Sequence, residues 1–600
     1  MGARTMKAPD YPRKSPRDSK SLGPAGIVAH PLRVAVCGIL FFFTATLFFF
    51  TPRYETNDDA GMNLLAAGVV FANTTDEHLL YINVLLGLFL KLLYTVLPAC
   101  PWYGGTLLAM LFTSAVAFTY VFLRVNPTGM QLPLSAVFYL AVMMPCVVEP
   151  QFTKIAFLAT LAGLFLFLSS LPGSLTPGAT IAASLLMITG SWLRSDAFFL
   201  AGVMAGPYAL YSWLSGPAGT TRRMAYFLVP TLAVCLGSMV FNRIYYAASP
   251  QWAHFHEYNA LRTQFIDYSR VAFTEETKPI FDEVGWKPID LKMMQHWFFA
   301  DRERYSLEKL QAIVSALRAS GHLGPGTGTA ERLGFFAAGA IQGFISRDMF
   351  TTDFYNLFRA GLLSLFFAGA GRWSWAVPAA TLVLAVVMAT LIAQYFYLPN
   401  HVFFPLFSSV PAAGIAVSGK GWRLAVAGKL GWIFSCLRLI FLAEVALDLS
   451  GGLQERLLRN HSFHASHAAM QKFVKELQPR DEQLFVVWAV ALRFEDLVHP
   501  LDDLRPLRPV KFLQAASAMQ TPIAWRRLEE FQITDLYRAL CERPDVFLIC
   551  GPGNLQIFAD YLEEHYAVRP LHRIVMSWPG PLPIQVYQLS AEFPAPSKGP

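Results

Sequence analysis

Charge is what this chain has least of. Of its 600 residues only 15% are Asp, Glu, Lys or Arg, whereas 54% are hydrophobic and 49 Phe outnumber 41 acidic residues. That balance excludes an ordinary soluble fold, which could not cover so much apolar surface, and makes lipid the solvent for most of the chain. Paired cysteine spacing is absent too. The seven Cys stand at 37, 100, 146, 235, 436, 541 and 550 with no CxxC, which argues against a zinc site. Cys541 and Cys550 are the two that an oxidising compartment could join, the alternative being buried thiols. The net charge of +7 is not gathered into a basic helix interleaved with aromatics, so no nucleic-acid partner is expected.

The basic residues instead set orientation. Arg4, Lys7, Arg13, Lys14, Arg17, Lys20 and Arg33 precede the first apolar run, placing a basic tail, residues 1–33, in the cytoplasm. No small-residue cleavage site follows the Phe-rich run 34–50, which reads as a retained anchor. Further apolar stretches at 103–123, 131–149, 152–171, 178–193, 197–214, 225–246, 354–371, 375–396, 399–417 and 430–447 bring the expectation to about eleven spans. Alternation from a cytoplasmic N-terminus puts Arg124, Arg222, Arg223, Arg372, Lys420, Arg423 and Lys429 inside, as the positive-inside rule requires. Counting Leu79 to Leu97 as a span would invert that order, so it is read as a helix lying along the outer surface.

The expected fold class is mostly α: a polytopic membrane helical bundle, 34–447, followed by a small extracytoplasmic α/β domain, 448–600. Apolar runs at Leu484 to Val490 and Val546 to Ile549 alternate there with helical patterns near 464–477, 533–542 and 554–565. Gly551-Pro552-Gly553 follows a strand, but Gln556 stands where a dinucleotide fingerprint needs its third Gly, so nucleotide is not expected there. The outer segments 51–102 and 247–353 complete the exposed part, with Gly-Pro-Gly-Thr-Gly at 324–328 marking a flexible connection.

Chemistry is expected in those outer segments. Arg53-Tyr54-Glu55-Thr56-Asn57-Asp58-Asp59 and Glu77-His78 concentrate acids and a His at the outer membrane face. A carboxylate there could remove a proton from an acceptor hydroxyl or, with its neighbour, hold a divalent cation such as Mg or Mn; the plainer alternative is a solvated acidic loop. Lys154, Arg194, Arg347 and Arg359 are candidate partners for a lipid phosphate at the outer helix ends. Arg194 stands out between two apolar runs, although an internal pair with Asp196 would equally explain it. His401 could meet phosphate or cap its helix. In the middle segment Tyr258, Arg262, Asp267, Trp286, Asp290, Trp297 and Asp301 offer sugar-binding faces and hydrogen-bonding groups, the alternative being local core or interface anchors.

The first helix, the acidic pair Asp58-Asp59, the surface helix and the second span opening at Pro101-Trp102-Tyr103 resemble the start of GT-C glycosyltransferases, such as the lipid A aminoarabinose transferases and protein mannosyltransferases. Asn57-Asp58-Asp59, Leu80-Tyr81-Ile82-Asn83 and Val284-Gly285-Trp286 are also similar to a group of bacterial multi-pass membrane proteins. The resemblance implies an inverting enzyme of the bacterial cytoplasmic membrane. It would move a sugar from a polyprenyl-phosphate donor to a glycan or lipid acceptor of the cell envelope, with Asp58 or Asp59 as base or metal-site residue. Glu77-His78-Leu79-Leu80-Tyr81 departs from the aminoarabinose transferases' Lys-Pro-Pro. The alternatives are a transporter or flippase of lipid-linked saccharides, and a polysaccharide polymerase or ligase working through Arg262 or Arg270.

Overall fold

The computed structural model describes residues 30–593 apart from 126–130, 172–175, 268–270, 324–356, 358–359, 362–371, 394–398, 419–428, 478–481, 490 and 579–583. Arg270, Arg347, Arg359, the 324–328 connection and nearly all of the expected span 354–371 lie outside the described residues.

Among the described residues six helices are long and apolar enough to cross a membrane: Pro31–Phe49, Trp102–Arg124, Gln131–Val148, Thr220–Ala247, Trp375–Ile392 and Asn400–Val417. The expected span 197–214 is a bent pair, Ser195–Met204 and Gly206–Leu214, meeting at 44°. Two other expected spans, Phe152–Leu168 and Pro177–Leu193, have 17 residues each. At about 1.5 Å per residue they fall a little short of a full hydrocarbon core. Phe152–Leu168 is buried almost all round, against Pro177–Leu193 and the Trp102–Val125 helix, and so forms the centre of the bundle. The segment expected at 430–447 begins one continuous helix, Lys429–Leu477, which runs on through Gly451 and Gly452. The chain is thus a multi-pass membrane protein built on a helical bundle.

The surface helix expected at Leu79 to Leu97 is observed as Val84–Val96, started by Asn83, whose side chain accepts from the Leu85 N–H at 3.0 Å. One face buries Val84, Leu86, Leu90 and Tyr94, while Phe89, Leu92 and Val96 stay exposed. An apolar face left open on a helix too short to span suits a place in the membrane interface.

The C-terminal α/β domain holds five strands, β1 (Leu484–Trp488), β2 (Lys511–Ala515), β3 (Val546–Cys550), β4 (Leu571–Trp578) and β5 (Ile584–Ser590), in the order β2-β1-β3-β5-β4. β2, β1 and β3 are parallel, whereas β5 pairs antiparallel with β3 and β4 pairs antiparallel with β5. Every residue of β1 and β3 is buried, because the sheet is covered on both faces, as parallel strands require. One cover comes from the segment that follows the Thr220–Ala247 helix. Phe298 packs on Trp488 at 4.5 Å between ring centroids, the Trp488 indole donates to the His296 carbonyl at 2.6 Å, and the Gln520 amide donates to the Phe299 carbonyl at 2.7 Å. The segment after the Pro31–Phe49 helix reaches the same domain by its backbone: Val70 bridges Lys511, and the Phe512 N–H donates to the Val70 carbonyl at 3.0 Å. Arg527, almost wholly buried, donates to that carbonyl as well. Three segments distant in sequence therefore share one body. Cys541 and Cys550 are buried free thiols within it.

Candidate active site

Asp58 and Asp59 stand in the first turn of the helix Asn57–Ala67, where carboxylates complement the positive end of the helix dipole. Gly68 ends that helix in the left-handed region, with φ 66°, and its N–H returns to the Leu64 and Leu65 carbonyls. A side chain there would drive into the Thr74 backbone, so the sharp exit needs glycine.

Successive positions on a helix point about 100° apart, and here that separates the pair. Asp59 is fully buried. Its Oδ1 accepts from the Tyr103 hydroxyl at 2.9 Å and the Phe152 N–H at 3.1 Å, and its Oδ2 accepts from the Thr56 hydroxyl at 3.0 Å. Both oxygens are spent on fixing structure, and burial pushes this carboxyl well above the usual carboxylate range. Asp59 is not presented to substrate, and the pair does not converge on a shared ion.

Asp58 does face open space. It lines a cavity of about 920 Å³ together with Tyr81, Arg262, Asp267, Lys292, Trp297, His401 and Ser517. Water reaches the carboxyl through that cavity, while protein crowds it from the remaining directions. The crowding pushes its pKa up to about 6, with Arg194 pulling it down and Glu495 and Asp267 adding to the rise. Behind Tyr81 and Ser517 lies a smaller chamber of about 70 Å³, mostly apolar, which Asp58 also lines. The carboxyl thus sits at the junction of two spaces.

The basic groups in the cavity, Arg262, Lys292 and His401, and Arg194 beside Asp58, come from several elements. Arg262, at the end of the helix Pro250–Arg262, is buried and donates to Asp267 Oδ1 at 2.9 Å, with its guanidinium 4.7 Å from the centre of the Trp297 ring. Lys292 is exposed on the helix Pro288–Gln295. Sequence reasoning missed it; an isolated Lys in a polar segment carries no pattern that marks it. Arg194 lies 5.7 Å from the Tyr81 ring centre and 5.6 Å from that of Phe152, beside Asp58. Its expected pair with Asp196 is present at 3.2 Å, but the Asp196 side chain is 79% exposed, so the pair adds little stability. His401 is the second residue of its helix, whose cap is Pro399, so it faces the cavity and does not cap the turn.

Other candidates are placed elsewhere. Lys154 is buried and paired with Glu55 at 2.6 Å beneath the Phe404 ring, so it is not free for a lipid phosphate. Trp286 is core and not a sugar platform: it stacks on Phe281, and its indole donates to the Arg304 carbonyl at 2.8 Å. Trp297, with φ 68°, does line the cavity, along with Tyr81 and Phe273. Asp290 is buried, accepts from the Lys287 N–H at 2.7 Å and contacts His565 Nε2 at 2.9 Å, and Asp301 accepts from the Glu303 and Arg304 N–H groups, so both are taken up by structure.

Glu77 and His78 line a separate cavity of about 460 Å³, away from Asp58. Glu77 accepts from Lys91 at 2.6 Å and the Tyr245 hydroxyl at 2.8 Å, while His78 donates to Asp76 at 2.7 Å and stacks on Trp252. Burial alone would raise the Asp76 carboxyl, yet hydrogen bonds from His78 and Arg526 hold it well below the usual carboxylate range.

No family model matches the chain, and no curated protein matches it. Among solved structures, two of ArnT from Cupriavidus metallidurans are similar to it. The one bound to undecaprenyl phosphate has a TM-score of 0.36 at 12% identity, covering 93% of this chain and 98% of that one. The apo state has a TM-score of 0.35 at 12% identity, covering 92% and 98%.

Proposed function

We propose that the protein is a membrane glycosyltransferase that moves a sugar from a polyprenyl-phosphate donor to a hydroxyl of a cell-envelope glycan or lipid. The carrying observation is Asp58: a carboxyl pushed up to about 6, opening on a cavity of about 920 Å³ whose other walls hold Arg262, Lys292 and His401. A base raised that far is still ionised at neutral pH and takes a proton better than an ordinary carboxylate does. The cations suit a phosphate whose charge grows as it departs.

In this reading the donor phosphate lies toward Arg194, Arg262 and Lys292. Asp58 removes the acceptor hydroxyl proton, the oxygen attacks the anomeric carbon from the face opposite the phosphate, and the sugar–phosphate oxygen bond breaks with its electron pair leaving on the lipid phosphate. Configuration at the anomeric carbon inverts. The basic N-terminal tail lies in the cytoplasm, and the outer body with its cavity lies across a bacterial cytoplasmic membrane. The full chain in lipid nanodiscs, given labelled polyprenyl-phosphate sugars and an envelope lipid extract, should label a product with wild type and not with Asp58→Asn. Equal labelling by the two proteins would overturn the assignment.

A further inference from the structure

The C-terminal half of the Lys429–Leu477 helix meets the loop that follows β1, away from the Asp58 cavity. Three side chains converge there. His467 and His499 stack at 3.7 Å between ring centroids, and His467 Nε2 lies 3.8 Å from Asp502 Oδ2, too far for a hydrogen bond. One ligating atom from each of the three residues lies within 4.8 Å of the others.

The surroundings prepare these atoms. The His467 Nδ1 contacts the Asp496 carbonyl at 2.9 Å, and because a carbonyl can only accept, Nδ1 carries the proton and leaves the Nε2 lone pair free. That arrangement, a backbone carbonyl holding the far nitrogen, is how metal-bound imidazoles are oriented. Asp502 is held by the His499 N–H at 2.8 Å. His499 is 5% exposed, and its Nε2 is buried with no hydrogen-bonding partner. A buried ring nitrogen without a partner is rare unless something absent from the protein chain satisfies it.

The geometry points to a divalent transition cation of the zinc class bound by His467, His499 and Asp502. Two imidazoles and a carboxylate make a donor set suited to such an ion, with water completing the coordination. The rings lie at 23° to one another, and they splay when the ion enters. The ion joins the long helix to the loop whose Asp496 also accepts from Arg53 at 2.9 Å, and so braces the segment leading to Asp58. The second acid and histidine group, Asp76, Glu77 and His78, is a poorer candidate because Lys91 and Arg526 already pair its carboxylates.

The test uses the full chain purified without a histidine tag, stripped with a chelator and titrated with ZnCl2, with binding followed by calorimetry and metal content by mass spectrometry. One zinc per chain is expected. His467→Gln and Asp502→Asn should each weaken binding by at least about tenfold, while Asp76→Asn leaves it unchanged. Thermal melts of the stripped variants show whether each is folded, and His467, being only partly buried, is the variant on which the proposal stands. No stoichiometric zinc in wild type, or undiminished zinc in folded His467→Gln, overturns it.

Discussion

The Tyr103 hydroxyl donates to Asp59 Oδ1 across 2.9 Å, linking the first turn of one helix to the opening of a membrane span. Because Asp59 also accepts from Thr56 and the Phe152 N–H, its carboxyl ties three segments together beneath Asp58. Asp59→Ala leaves buried donors without an acceptor, at about 1–3 kcal/mol for each one left unsatisfied. A melt in detergent should show a large loss for Asp59→Ala and a smaller one for Asp59→Asn, which keeps one oxygen acceptor. Equal stability of Asp59→Ala and wild type would sink this structural role.

Asp58 should behave in the opposite way. Its folded pKa is raised, so the folded state holds the proton more tightly than the unfolded chain does. Its ionisation therefore opposes folding above about pH 6, and that opposition disappears once the pH is below the ordinary carboxylate value. Asp58→Asn is expected to abolish transfer while its melting temperature at pH 7.5 is unchanged or higher. In wild type, kcat/KM should fall as pH drops through about 6, following loss of the ionised base. A rate flat from pH 5 to pH 8 would remove Asp58 from the chemistry.

Lys154 and Glu55 pose a different test, since their 2.6 Å pair is buried and Asn400 also donates to Glu55. Removing one member strands the other, at about 3–5 kcal/mol, whereas replacing both with uncharged residues of similar size removes most of that penalty. Lys154→Met should destabilise strongly, and the Lys154→Met, Glu55→Gln double variant should recover most of the loss in a denaturant titration. No recovery in the double variant would show that the pair is not the source of the effect.

Gly104, near the start of the Trp102–Val125 helix, leaves room for the Pro500 backbone: an added Cβ would stand 1.9 Å from the Pro500 carbonyl oxygen. The clash is with backbone, so it cannot be relieved by turning a side chain. Gly104→Ala should lower the melting temperature by an amount corresponding to about 1–3 kcal/mol of overpacking, even though alanine is the better helix former.

What could be read in the sequence was mostly what period and polarity encode. The anchor at Pro31–Phe49, the spans that follow it, the short apolar helix after Asn83 and the βα alternation around β1 and β3 each leave a local pattern. The Lys429–Leu477 helix was harder, because Gly451 and Gly452 look like a stop. Its C-terminal half is held by tertiary packing of Met470, Phe473, Val474 and Leu477, which no local pattern reports. The site was half legible for the same reason. Asp58-Asp59 was conspicuous, but which of the two faces the cavity depends on Tyr103 and Phe152, residues from other helices. Trp286 and Trp297 are alike in composition, and only the fold buries one and opens the other.

Arg194 offers a test that separates electrostatic tuning from phosphate binding. Its guanidinium pulls the Asp58 pKa downward against the effect of burial. Arg194→Gln removes that pull, so the acidic limb of the kcat/KM profile should move to higher pH. Activity would then be lost more severely at pH 6.5 than at pH 8, where Asp58 is ionised in either protein. If Arg194 served only to hold the lipid phosphate, the same substitution would raise the donor KM by a similar factor at both pH values and leave the limb in place. A displaced limb with a nearly constant KM therefore assigns Arg194 to the base, whereas a fixed limb with a raised KM assigns it to the leaving group.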